Sequence, residues 1–147
     1  MPEPELELER FLPYRLSVLS NTVSSRISRA YAGRFGLSIP EWRIIAVLAR
    51  FPGLSASEAA DRTAMDKVMV SRAVAKLLKD GRVLRKASPG DRRAAHLSLT
   101  AKGRAIYARV VPVARGIEDR LISALEPDEG AALDRALTKL MDAARGI

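Results

Sequence analysis

Arginine side chains dominate the chemistry this chain can do. Arg92 and Arg93 stand side by side after a Ser-Pro-Gly-Asp turn, within the stretch Gly81–Thr100. Guanidinium groups at the tip of a hairpin can enter the minor groove of DNA, where a narrow groove concentrates negative potential. A second set lies upstream: Lys67, Val68, Met69, Ser71 and Arg72. Arg72 has the donors to pair bidentately with guanine O6 and N7, Ser71 can bond a base or a phosphate, and Val68 and Met69 can meet thymine methyl groups. Lys76 and Lys79 suit phosphate contacts, which set position without reading sequence. Twelve of the 25 Lys and Arg lie between Arg62 and Arg104, against three of the 17 Asp and Glu. That window nets +9 and the remainder −1, so all of the excess charge of +8 sits where these residues are. Such a footprint expects a polyanion partner.

Each residue also has a plainer reading. Lys67 and Arg72 can be solvated helix charges, and Met69 can fill a gap in a core. Asp91 is acidic at a basic tip, so it either accepts hydrogen bonds from turn N–H groups and orders an arginine, or is an ordinary turn aspartate. His96 reads as a half-exposed strand residue.

These residues need elements to hold them. Apolar residues at 12, 16, 19, 23, 27 and 31 predict one long helix from about Leu8 to Phe35, ended by Gly33 and Gly36. A second helix is expected from Pro40 to Phe51. Ser55-Ala-Ser-Glu58 is a capping box and opens a short helix to about Thr63. A turn at Ala64-Met65-Asp66 leads to a helix over Lys67–Asp80, closed by Gly81. Two short helices across a tight turn form a helix-turn-helix. Strands are expected at Val83–Ala87 and Ala95–Leu99. Thr100 should cap a long helix containing Pro112, with a kink there, and a last helix should open near Pro127.

The expected fold is mainly α: a winged helix-turn-helix with long N- and C-terminal dimerisation helices, about six helices plus a two-stranded wing. The expected organisation is an arm and helix over 1–36, a DNA-binding lobe over 37–100 and C-terminal helices over 101–147, all in one intertwined domain. The apolar helices at both ends need a partner surface, and a second copy is the simplest one.

Composition narrows the classes further. The chain has 147 residues, 48% hydrophobic, no cysteine and one histidine. A disulfide framework and a Cys-ligated metal site are excluded, and no cofactor or metal is expected. An enzyme is not expected, for want of a nucleophile–base pair or a Gly-rich phosphate loop. The acidic start MPEPELELER and the lack of a long apolar run predict no secretion and no membrane span, hence a cytoplasmic protein.

Several motifs together resemble the multiple-antibiotic-resistance-regulator (MarR) family of bacterial transcription factors. The wing carries Asp91-Arg92-Arg93, then Leu97-Ser98-Leu99-Thr100-Ala101-Lys102-Gly103; upstream stand Val70-Ser71-Arg72, Leu77-Leu78 and Asp80-Gly81. The resemblance implies a homodimer on a roughly palindromic double-stranded DNA operator, with half-sites ~34–36 Å apart. It implies Arg93 in the minor groove, Asp91 ordering the wing, Arg92 at a variable position and Arg72 in the major groove. It also implies a repressor released by a small aromatic acid or aromatic acyl-CoA-like effector, lodged near Asn21, Ser25, Trp42, Ile45 and Ile106, with Ser24 and Tyr107 alongside. Arg15, Arg26 and Arg29 could meet the phosphates of such a thioester. The competing reading is a non-specific or architectural DNA-binding protein without an effector.

Overall fold

The computed structural model describes residues 2–88 and 91–147, the side chains of residue 88 and of 91–94 excepted. A single 3-10 turn, Leu8–Arg10, precedes α1 (Leu12–Phe35). The long first helix thus starts after Phe11 rather than at Leu8, with Pro13 in its opening turn. Gly36, in the left-handed conformation (φ 61°), ends it. Next come α2 (Ile39–Arg50), α3 (Ala56–Thr63) and α4 (Lys67–Lys79). The antiparallel pair β1 (Val83–Ser88) and β2 (Asp91–Leu99) is followed by α5 (Ala101–Ile122) and α6 (Pro127–Arg145). This is the mainly α winged helix-turn-helix expected from the sequence.

Local chemistry sets most boundaries. Ser38 caps α2 and Ser55 caps α3, each accepting from the N–H three residues on, at 3.2 and 3.1 Å. Glu58 completes the Ser55 box by accepting from the Ser55 N–H at 3.1 Å. That bond and the Ser55 hydroxyl hold the Glu58 carboxyl below its usual range. The turn between α3 and α4 runs through Ala64 in the left-handed region (φ 54°), and Asp66 caps α4 by accepting from the Met69 N–H at 2.8 Å.

The second strand begins at Asp91, four residues earlier than its alternating pattern suggested, with a register shift between Ala87 and Ser88. Pro89 and Gly90 lie outside the described residues. From Val83↔Leu99 to Ala87↔Ala95 the pairing is regular. β2 is also stapled to the α2–α3 loop: Leu97 N–H donates to Leu54 O at 2.8 Å and Gly53 N–H to Leu97 O at 3.1 Å. The His96 ring completes the staple by donating from Nδ1 to Gly53 O at 2.6 Å.

The chain divides into two compact units, Met1–Val113 and Ala114–Ile147. In the first, Ile44, Ile45, Leu48, Val70, Val74, Leu77, Leu97 and Val110 are almost fully buried. An aromatic row joins α1, α2 and α5: Tyr31 and Trp42 lie 5.9 Å apart and tilted, Trp42 and Tyr107 5.9 Å apart and stacked. Burial pushes the Tyr31 hydroxyl up to about 12. Only the C-terminal part of the α1 stripe is covered: Tyr31 and Phe35 are buried, whereas Leu12, Leu16 and Leu19 are exposed. The second unit holds the end of α5 and all of α6, on which Leu133, Leu137, Leu140 and Met141 are exposed. Helix α5 continues through Pro112. Among the described residues, no helix is long and apolar enough to cross a membrane.

The exit of α4 is tied down by one tight junction. Gly81 has φ 71°. Thr100 Oγ donates to Gly81 O at 2.7 Å and accepts from the Gly103 N–H at 3.1 Å, capping α5. Lys102 Nζ donates to Asp80 O at 2.8 Å, and Arg82 Nη2 to Phe35 O, the end of α1, at 2.7 Å. At Gly103 a β-carbon would collide with the Arg82 carbonyl oxygen. Gly103→Ala should therefore destabilise the protein by about 1–3 kcal/mol, the usual cost of overpacking. A lowered thermal midpoint checks this; an unchanged midpoint would mean the junction gives way freely.

Candidate nucleic-acid interface

Helix α4 has two faces of opposite character. Val70, Ala73, Val74 and Leu77 are buried against the unit's core. Lys67, Val68, Met69, Ser71, Arg72 and Lys76 are exposed, with Val68 62% and Met69 44% accessible. Val68 and Met69 thus form an exposed apolar edge among the cations at the start of the helix. The Asp66 cap fixes where the turn starts. All five residues expected to face bases are thereby gathered on the N-terminal half of one helix, beside the α3–α4 turn.

Lys76 is less free than its neighbours. Its ammonium bonds the Asp80 carboxylate at 3.1 Å, and that contact holds the Asp80 carboxyl below its usual range. Both groups are at the surface, so the pair adds little stability. Near α3, Arg62 lies over the Phe51 ring with 4.0 Å to its centre, and Arg50 stands at 5.2 Å from the same ring. Of the wing cations, Arg85 and Lys86 are exposed on β1. The side chains of Asp91, Arg92 and Arg93 lie outside the described residues.

The five effector candidates do not gather in one place. Asn21 and Ser25 line a cavity of about 320 Å³ together with Ser24, Arg43, Met65 and Met69. Trp42, Ile45 and Ile106 are absent from it. Ile45 is fully buried in the core, Trp42 is the middle of the aromatic row, and Ile106 packs half-buried against the core. The sequence reading missed Arg43, whose Nη2 donates to Ser24 Oγ at 3.1 Å across the α1–α2 gap. No local pattern in the sequence links the two, which lie 19 residues apart.

Comparison with known proteins fits this geometry. A profile of the MarR family matches residues 35–94, which span α2 to the wing. The chain is 32% identical over 131 residues to the HTH-type transcriptional repressor Rv2887 of Mycobacterium tuberculosis, covering 88% of this chain and 91% of that one. The structure of Rv2887 in complex with salicylic acid superposes with a TM-score of 0.71 at 30% identity, covering 88% and 96%. A MarR/EmrR family transcriptional regulator from Acinetobacter sp. ADP1 gives a TM-score of 0.87 at 28% identity, covering 97% and 100%. Streptococcus pneumoniae FabT in complex with DNA gives 0.73 at 25% identity, covering 95% and 99%. The chain belongs to the MarR family of winged-helix transcriptional regulators, proteins that bind DNA and are not enzymes.

Proposed function

We propose that the protein is a homodimeric, sequence-specific repressor whose α4 helices read a roughly palindromic operator and whose grip is released by a small aromatic acid. The observation that carries this reading is the split of α4 into a buried face and an exposed face of Lys67, Val68, Met69, Ser71 and Arg72. Arg72 reads guanine, Val68 and Met69 pack on thymine methyls, and Lys76 and Lys79 meet phosphates. Arg93 enters the minor groove, with Asp91 and Arg92 beside it; the family's wing pattern supports that part. The DNA complex of the relative FabT supports the DNA partner, and the name of the relative Rv2887 supports repression.

Dimerisation is supported by apolar surface that one chain leaves bare. Leu12, Leu16 and Leu19 repeat at i, i+4 and i+7 on α1, and Leu133, Leu137 and Leu140 do so on α6. Stripes of this size rarely stay solvated in a monomer.

The effector reading rests on the Asn21–Arg43 cavity. Its polar groups, Asn21, Ser24, Ser25 and Arg43, face apolar side chains, Ile39, Pro40, Met65 and Met69. A guanidinium beside an apolar slot matches a carboxylate carried on a ring. The salicylic acid complex of Rv2887 supports the ligand class. Met69 belongs to both the slot and α4, which gives the ligand a way to act on the reading helix. An acyl-CoA-like effector would seat its acyl part here, with Arg15, Arg26 or Arg29 meeting its phosphates.

Three measurements test these points. On an operator selected from a randomised duplex pool, Arg72→Ala should cost ~1–3 kcal/mol in binding and flatten preference at one base pair. A uniform loss on all sequences would make Arg72 a phosphate contact only. Salicylate should raise the thermal midpoint of the full chain, because a ligand of the native state stabilises it. Arg43→Ala should abolish that rise, and an equal rise in the variant would move the ligand elsewhere. Leu137→Glu should shift the sedimenting species from dimer toward monomer; an unaltered dimer would remove α6 from the interface.

A further inference from the structure

His96 is the one histidine of the chain, and there is no cysteine. Histidine is the side-chain type whose charge ordinarily changes between about pH 5 and 8. The ring is half-buried on β2, at the seam between the wing and the helix-turn-helix. Its Nδ1 bonds Gly53 O at 2.6 Å. A carbonyl oxygen only accepts, so Nδ1 keeps its proton whether the ring is neutral or charged. The proton that comes and goes is therefore on Nε2. That atom has no hydrogen-bond partner among the described residues, and it is not sealed from solvent; the sealed atoms without partners belong to Glu41 and Arg82. Nε2 shows a lone pair to its surroundings when the ring is neutral and a charged N–H when it is protonated.

Charged neighbours reach the ring from two elements. Lys86 stands opposite His96 on β1. On α3, the Glu58 carboxyl is held low chiefly by its bonds to Ser55, and the positive charges of His96 and Arg62 lower it further. The loop between α2 and α3, Phe51 to Ser55, brings no charge. The Glu58 carboxylate is turned back onto the Ser55 N–H at 3.1 Å and makes no ion pair with His96 among the described residues. The charge on Nε2 is thus left for a partner outside the chain. The position of the ring identifies that partner. The first helix of a helix-turn-helix, here α3, crosses the DNA backbone, and arginines of a wing are drawn to the adjacent minor groove. His96 lies between the two, where Leu97 of β2 pairs with Leu54 just ahead of α3. A backbone phosphate that passes from α3 to the wing meets Nε2.

We propose that His96 is a proton-dependent phosphate contact, donating from Nε2 to the DNA backbone at the foot of the wing when charged and facing it with a lone pair when neutral. A charged N–H on a phosphate oxygen is among the stronger hydrogen bonds, whereas a lone pair against the same oxygen repels it. Binding DNA then takes up a proton, so affinity rises as pH falls. The Gly53 bond makes this possible by fixing which nitrogen points outward. The inference rests on α3 and the wing meeting DNA, and not on α4 reading bases or on an effector.

The test is titration calorimetry of the full chain with a selected operator duplex, at one salt concentration, between about pH 8 and 6. The wild type should gain at least about fivefold in affinity over that range, with net proton uptake revealed by buffers of different ionisation heat. His96→Asn keeps a donor for Gly53 O but cannot titrate, and should show neither effect. Glu58→Gln preserves the capping box and should keep both. A single uncharged methylphosphonate, moved along the backbone, should remove the pH dependence at one position in each half-site. Wild-type proton uptake and the methylphosphonate series need no variant, so they decide the matter even if His96→Asn unfolds. Four results would overturn the contact: wild-type affinity independent of pH, full pH dependence in His96→Asn, its loss in Glu58→Gln, or indifference to the methylphosphonate at every position. Failure of sequence reading by α4 shows separately, as equal affinity for operator and shuffled duplex at every pH.

Discussion

The approach of Gly103 to the carbonyl oxygen of Arg82 is the contact on which the lobe's arrangement depends. It brings the start of α5 against the first residue after Gly81, with no room for a side chain between them. Around it, four polar ties converge. Thr100 bonds Gly81 O and the Gly103 N–H, Lys102 bonds Asp80 O, and Arg82 reaches back to Phe35 O at the end of α1. The Thr100 N–H also donates to Arg82 O at 3.1 Å. Recognition helix, wing base, α5 and the end of α1 are thus locked at one point. The junction fixes the C-terminal end of α4, and the Asp66 cap fixes its start.

The second organising feature is the division of labour between apolar and charged surface. The core of the first unit is built from aliphatic side chains and the Tyr31–Trp42–Tyr107 row, which leaves α4 free to turn its charged edge outward. Excess positive charge lies in that segment and the wing that follows, which suits long-range attraction to a polyanion. The wing is held by β2 pairing with β1 and with Leu54 and by the His96–Gly53 bond.

The order of helices and the helix-turn-helix were legible because their signals are local. The Ser55–Glu58 box, Gly36 and Gly81 mark ends within a few residues, and Val70, Val74 and Leu77 repeat at helical spacing. The early start of β2 was not legible, because Asp91 and its neighbours lack alternation and Asp91 joins the pair only past a register shift, opposite Ser88. Arg43–Ser24, His96–Gly53 and Arg82–Phe35 link residues 19, 43 and 47 positions apart, and no local pattern announces such pairs. Trp42 shows the limit of residue type as a guide: a lone tryptophan suits a ligand pocket and a core equally, and packing between Tyr31 and Tyr107 accounts for its position here. Leu12 and Leu19, on a terminal helix whose apolar spacing called for a partner surface, are exposed on one chain.

The role proposed for α4 is to read sequence and not charge alone. The most direct measurement is the ratio of affinities for a selected operator and for a shuffled duplex of equal length, taken at one physiological salt concentration. A sequence reader should favour the operator by at least ~10³-fold. A ratio near one, with both affinities falling together as salt rises, would contradict it and leave a protein that only binds the phosphate backbone.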